Sequence, residues 1–468
     1  MQDYKKQFKG KKITVMGLGL LGRGLGYTKF LAECGADLIV TDLKSKKQLA
    51  TSIKALKKFR SIKYVLGEHR LEDFRGRDMI IKSAGVPLDS IYIKEAEKNG
   101  IPIEMDVSLF AKCAPEIILV GVTGTRGKSM VTALIYEILK KNEKFLNRKV
   151  YIGGNVRGVA TLPLLKKVKA GDILVCELDS WQLQGFGDSK ISPHISVFTS
   201  FMPDHMNYYK NSMEKYFDDK ANIFKYQKKE DFLIIRKDVE NLIKNFPSTL
   251  QGEGRGEVLK GKLIIANKKS VEKYKFIVPG EHQKENLACA VEVAILFNIP
   301  DSKIGHAVKH FKGLEGRLQY VKTVRGVKIY NDNNATTPEA TVAGIKALSF
   351  PETRFRGVSP KPGFGERKIV LICGGADKKL PLDNFVKTVN KHCKAIIMIP
   401  GTGTDRLANE KLSVENFKVK NLQEAVKKAL LSSKKDDIIL FSPAFASFGM
   451  FNNEYERNDL FLKLIKEL

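Results

Sequence analysis

A chain of 468 residues is too long for one ordinary hydrophobic core, so two or three domains are expected. With 43% hydrophobic and 28% charged residues, and no apolar run near the ~20 residues that cross a bilayer, the composition predicts a soluble globular protein. The net charge of +28 is spread along the whole chain and no nucleic-acid-binding motif accompanies it, so charge alone assigns no such partner.

Ile13-Thr14-Val15-Met16 reads as a strand, the stretch from about Gly22 to Cys34 as a helix, and Asp37 to Thr41 as a second strand. Met79-Ile80-Ile81 is a later strand that ends in Ser83-Ala84-Gly85. This β-α-β rhythm predicts a parallel sheet. Gly17-Leu18-Gly19-Leu20-Leu21-Gly22 follows the first strand, and Asp42 ends the next one about twenty residues later, the dinucleotide-type arrangement. The same geometry serves NAD or any other nucleotide diphosphate.

A second unit starts near Pro115. Its first strand is read as Glu116 to Val120, followed by a glycine-rich turn and a helix beginning near Lys128. Ile173 to Glu177 and Ile195 to Thr199 are two more buried strands, again of parallel-sheet type. A third unit begins around Gly316. Lys328 to Tyr330, Lys368 to Cys373 and Asp437 to Phe441 are its strands, and each runs into a polar or glycine-rich turn. Glu352 to Glu366, rich in Arg, Pro and Gly, reads as a surface loop. In open parallel sheets ligands bind beyond the carboxyl ends of the strands, so these turns are where function is sought. The cysteines, at 34, 113, 176, 289, 373 and 393, stand singly without a C-x-x-C pair. Reduced thiols in a cytosol are expected, and the start of the chain lacks the apolar segment of a secretory signal.

Chemistry enters at Gly121-Val122-Thr123-Gly124-Thr125-Arg126-Gly127-Lys128-Ser129. Small residues let backbone N–H groups approach a phosphate chain, and the following helix start favours negative charge. Lys128 suits the terminal phosphates and Ser129 a Mg²⁺ ion. Glu177, at a buried strand end, suits the same ion, which takes one or two carboxylates beside phosphate oxygens.

The T-G-T-x-G-K-S/T turn resembles the phosphate loop of the Mur ligases and their folylpolyglutamate synthetase relatives, which form amides through acyl phosphates. Glu177-Leu178-Asp179-Ser180-Trp181-Gln182-Leu183 is similar to the E-L-S-S-F/W-Q-L stretch of the family members that add D-glutamate, with Asp179 in place of a Ser. The resemblance runs in one order through the whole chain. It implies an α/β protein of three domains: a Rossmann-like domain for the UDP part of the substrate (1–113), a central ATP-binding parallel sheet (114–315), and a Rossmann-like domain for the amino acid (316–468).

What the resemblance implies for single residues follows the same order. Gly19, Leu20, Leu21, Asp42, Leu43, Ser83, Gly85 and Asn155 would hold UDP-N-acetylmuramoyl-L-alanine. Gly124, Thr125, Arg126, Gly127, Lys128 and Ser129 would cradle ATP, with Asn286 at the base, Arg317 at the phosphates and Asp332 at the ribose. Lys128, Glu177, His205 and Lys220 would be catalytic. Mg²⁺ would lie on Ser129, Glu177, His205 and a carbamylated Lys220, because an unmodified lysine has the wrong charge for a metal ligand. D-glutamate would meet Thr336, Lys378, Ser442 and Phe448.

The implied activity is ATP-dependent addition of D-glutamate to UDP-N-acetylmuramoyl-L-alanine in a cytoplasmic monomer, with neither nucleic acid nor membrane as partner. A sibling ligase with another amino acid or nucleotide-linked acid stays open at this point. So do an NAD-dependent dehydrogenase and a nucleic-acid-binding NTPase.

Overall fold

The computed structural model describes residues 4–87, 89–244, 259–349 and 367–468. Three separate sheets organise them, so the α/β architecture expected from the strand rhythm is the one observed. The first contains β1 (Lys12–Met16), β2 (Asp37–Asp42), β3 (Lys63–Leu66), β4 (Met79–Lys82) and β5 (Ile103–Glu104), in the order β3-β2-β1-β4-β5. The second contains β6 (Ile118–Thr123), β7 (Val150–Gly154), β8 (Ile173–Glu177), β9 (Ile195–Phe198), β10 (Phe232–Arg236) and β11 (Lys262–Ala266), in the order β11-β10-β9-β6-β8-β7. All recorded pairings in these two sheets are parallel.

The third sheet contains β12 (Gln319–Val324), β13 (Val327–Asn331), β14 (Ile369–Gly374), β15 (Cys393–Ile399), β16 (Glu415–Lys418) and β17 (Ile438–Phe441), in the order β12-β13-β17-β14-β15-β16. Its edge strand β12 is antiparallel to β13 and had no counterpart in the sequence reading. The two are joined through Arg325 and Gly326, both at positive φ (49° and 79°), the backbone that a two-residue hairpin needs to match strand twist.

Helices cover the faces, which is why the inner strands are mostly apolar: every residue of β8 and β14 is buried, with Glu177 as the one charged side chain among them. One strand differs from its expected register. The run from Glu116 was read as ending at Val120, whereas β6 begins at Ile118 and continues through Gly121-Val122-Thr123. Ile117 N–H turns back to the Ala114 carbonyl (3.2 Å), which delays the strand's start. The expected loop at 352–366 lies outside the described residues.

Two compact units emerge: Met1–Tyr274 with Glu285–Val308, and Lys275–Lys284 with Lys309–Leu468. Within the first, one continuous apolar core joins the first two sheets. Phe30, Leu31 and Val40 from the first meet Leu109 and Phe110 of helix Asp106–Cys113, then Leu162, Leu183 and Phe198 around the second. Each such side chain contributes about 1.5–3 kcal/mol when fully buried. The second unit has two cores, one on each face of its sheet. All six cysteines are buried thiols.

Candidate active site

The register of the second sheet explains why the phosphate loop and Glu177 are neighbours. Val122 pairs with Glu177 across β6 and β8, and Thr123 pairs with Phe198 across β6 and β9. The turn after β6 therefore lies between the ends of two buried strands, and residues from β9's end complete it. Thr125 N–H donates to the Ser200 carbonyl (2.7 Å), Arg126 N–H to Ser200 Oγ (2.9 Å), and Thr199 Oγ1 donates to the Thr123 carbonyl (3.0 Å). Gly124, at φ 138°, has no room for a side chain: a Cβ there would be 2.1 Å from Thr199 Oγ1. Sequence reasoning passed over Thr199 and Ser200, whose hydroxyls and carbonyl hold the loop's shape.

Two amines converge on this loop. Lys128, the first residue of helix Lys128–Lys141, donates to the carbonyls of Gly124 (3.0 Å) and Thr125 (3.1 Å). Lys220, from helix Met213–Ala221, donates to the same Gly124 carbonyl at 2.9 Å while only 1% exposed. Burial, with the charge of Lys128 beside it, pushes the Lys220 amine down to about 7. Its ammonium lies 4.9 Å from the Tyr216 ring, and the Tyr216 hydroxyl is 3.3 Å from Thr125 Oγ1. Thr125 is itself buried and its hydroxyl serves Met202, so its side chain faces protein. Asn286 comes against the same turn: a Cβ on Gly127 would be 2.6 Å from its Oδ1.

Glu177 is buried at 6% exposure, and its carbonyl receives Asn155 N–H at 2.7 Å. Asp179, the departure from the family stretch, caps helix Ser180–Asp188: its carboxylate accepts from Gln182 N–H (2.8 Å), and Gln182 Oε1 accepts Asp179 N–H (3.2 Å). A serine would cap the same helix, so the replacement keeps the local geometry. Trp181 of that helix packs on His205, ring centroids 4.8 Å apart, and His205 is held at φ 54° beside Asp204. The elements thus bring Lys128, Lys220, Glu177 and Asn155 to one end of the sheet, with His205 anchored through Trp181. Among the described residues no three His, Cys, Asp or Glu side chains gather as a metal cluster. A hydroxyl and one carboxylate beside phosphates is a donor set that fits Mg²⁺, which retains much of its water.

The first sheet's turn is built similarly. Asp42 accepts from Gly19 N–H (2.9 Å) and Lys44 N–H (2.8 Å), so both its oxygens shape backbone. Ser83 Oγ donates to the Gly17 carbonyl at 2.7 Å, which brings the ends of β1 and β4 together. Leu20, Leu21 and Leu43 in the adjoining turns are exposed at 52%, 44% and 66%.

In the second unit, the turns after β14 and β17 are paired through backbone: Ala376 N–H donates to Ala446 (2.9 Å) and Ala446 N–H returns to Ala376 (3.1 Å). Lys378 Nζ donates to Thr336 Oγ1 at 3.0 Å, and Phe448 is exposed. Ser442, expected to meet a substrate carboxylate, is fully buried here, donates to Asp332 Oδ2 (2.8 Å) and lies 2.9 Å from Thr341 Oγ1. Asp332 also accepts Leu318 N–H (3.0 Å), the residue after Arg317.

Family comparison covers the same three sheets. Residues 11–104 match the MurD-like N-terminal domain of Mur ligases, 122–294 the Mur ligase middle domain, and 316–445 the glutamate ligase domain. The chain is 36% identical to a Borreliella afzelii protein over 99% of both chains, and 32% identical to one from Roseiflexus over 98% of this chain and 99% of that one. Both relatives are named as UDP-N-acetylmuramoylalanine, D-glutamate ligases. Among solved structures, the fold is similar to the UDP-N-acetylmuramate-alanine ligase MurC of Thermotoga maritima, with a TM-score of 0.59 at 19% identity over 98% of this chain and 99% of that one. MurF ligase from the same organism aligns over the whole of both chains at a TM-score of 0.56 and 17% identity. Three domain matches in order and full-length relatives above 30% identity establish that the chain belongs to the Mur ligase family.

Proposed function

We propose that this chain joins D-glutamate to UDP-N-acetylmuramoyl-L-alanine with consumption of ATP, a step of peptidoglycan precursor synthesis. The observation that carries the reading is the end-to-end similarity to ligases of that specificity, 36% identity over 99% of each chain. The residues fit the chemistry. A carboxylate does not condense with an amine near neutral pH, because oxide is a very poor leaving group. Passing the γ-phosphoryl group of ATP to the L-alanyl carboxylate gives an acyl phosphate, which the D-glutamate amine attacks; the tetrahedral adduct then collapses to amide and phosphate.

In this reading the amides of Gly124 to Ser129 cradle the triphosphate, and Lys128 exchanges its loop carbonyls for phosphate oxygens, stabilising charge on the transferring group. Ser129, Glu177, His205 and a carbamylated Lys220 would hold Mg²⁺, which when bound neutralises the crowded phosphate oxygens. Arg126, Asn286, Arg317 and Asp332 are assigned to the nucleotide. Gly19, Leu20, Leu21, Asp42, Leu43, Ser83, Gly85 and Asn155 take the UDP-linked acid. Thr336, Lys378, Ser442 and Phe448 take D-glutamate. The working division into domains is 1–113, 114–315 and 316–468, with Asn155, Arg317 and Asp332 serving ligands held mainly by a neighbouring domain.

Phosphate release in the presence of ATP, Mg²⁺ and UDP-N-acetylmuramoyl-L-alanine, measured with a panel of amino acids, tests the proposal. D-glutamate is expected to be the preferred acceptor. Preference for any other amino acid, or turnover without the muramoyl substrate, would refute it.

A further inference from the structure

The glycine turn of the first sheet offers backbone amides but almost no polar side chain: its positions between glycines are Leu18, Leu20 and Leu21. The acidic Asp42 is bonded to it through Gly19, which adds negative charge to a place read as a diphosphate site. The first cation after the turn is Arg23, the opening residue of helix Arg23–Glu33. A cation there opposes the helix dipole, so the position is electrostatically costly unless an anion is present. Among the described residues no carboxylate forms an ion pair with Arg23; the buried Asp106 carboxyl feels its charge, but both Asp106 oxygens already accept from Thr161 and Leu162 N–H. Its Nη2 instead donates to Asn155 Oδ1 at 2.7 Å, across to the loop after β7.

The two loops are in close approach around this bond. A Cβ on Gly22 would be 3.7 Å from the Gly158 Cα, and one on Gly26 would be 2.5 Å from the Ala160 Cβ. Asn155 is therefore fixed twice, by its backbone to Glu177 and by its side-chain oxygen to Arg23, which leaves its Nδ2 hydrogens as donors. A guanidinium has five N–H donors in a planar fork, so the Asn155 bond leaves others for phosphate oxygens.

We propose that Arg23 is a substrate-specificity residue: it binds the diphosphate of the UDP-linked acid and, through Asn155, presents an amide donor to the same ligand. The proposal rests on the reading of the first domain as the UDP domain. It supplies from a side chain what the apolar turn lacks.

Calorimetric titration of the full chain with UDP, together with steady-state kinetics, tests it. Arg23→Leu is expected to weaken UDP roughly 10–100-fold, the range for a hydrogen bond to a charged group, and to raise KM for UDP-N-acetylmuramoyl-L-alanine in parallel. KM for ATP should not change, and Arg23→Lys, which keeps charge without the planar fork, should recover part of the loss. Unaltered UDP affinity in Arg23→Leu overturns the proposal, as does an equal rise in KM for ATP, which would mark a merely structural role. Wild-type protein that binds no UDP overturns the reading of the domain itself, and the assignment of Arg23 with it.

Discussion

Asp332 is almost without solvent, 8% exposed, and burial pushes its carboxyl up from 3.8 to about 7 despite hydrogen bonds from Ser442 and Leu318 N–H. The folded state therefore keeps a proton that the unfolded chain has released throughout the interval from 3.8 to about 7. Stability is expected to fall as pH rises across that interval. Asp332→Asn, neutral at every pH, should flatten the fall; melting temperatures taken across the same interval decide it, and equal slopes for both proteins would dismiss the idea. Lys128 carries a second expectation. Its replacement by Met should lower kcat roughly 100-fold or more while the melting temperature stays close to wild type, because its amine donates to two carbonyls of its own loop. At this scale the sequence revealed the residues whose type is dictated by phosphate chemistry, such as Gly124 and Lys128. It concealed Thr199 and Ser200, which act on a backbone more than seventy positions away, and Arg23, whose meaning depends on Asn155 (sequence separations 74 and 132).

Elements show the same division between local and distant causes. Asp179 begins helix Ser180–Asp188 with a reciprocal cap, and Asp179→Ala should cost about 1 kcal/mol in denaturant unfolding, whereas Asp179→Ser should be near neutral. Gly375, at φ 136°, holds the turn after β14 against that after β17: a Cβ would stand 2.2 Å from the Ala446 carbonyl. Gly375→Ala should therefore separate the two turns and raise KM for D-glutamate well above any change for the UDP-linked acid; parallel changes in both would count against the turn assignment. Strands such as β8 and β14 were legible as apolar runs because both faces are buried, although β10 and β15, nearly as buried, were not read. The end of β6 was not, since Gly121 interrupts the run although it stays in register with Cys176. β12 escaped because its alternating, half-exposed residues carry little apolar signal.

For the whole molecule, three sheets followed from the order of strands and turns, and the structure contains three, parallel except for the β12 edge. That the first two share one core was hidden, because helix Asp106–Cys113 lies in sequence at the boundary yet gives Leu109 and Phe110 to both sides. The net charge of +28 has a consequence at this scale alone: a positive field draws anionic substrates, so kcat/KM for the UDP-linked acid should decline as ionic strength increases. The buried cysteines extend the view from binding to breathing. Cys34 lies in the first core, Cys176 in β8, and Cys373 and Cys393 in adjacent strands of the third sheet, all with thiols that burial pushes up or conceals from solvent. An alkylating reagent can reach each sulfur only when the core around it opens, so the chain carries one chemical clock for the core shared by the first two sheets and another for the third sheet, readable by peptide mass without any engineered label.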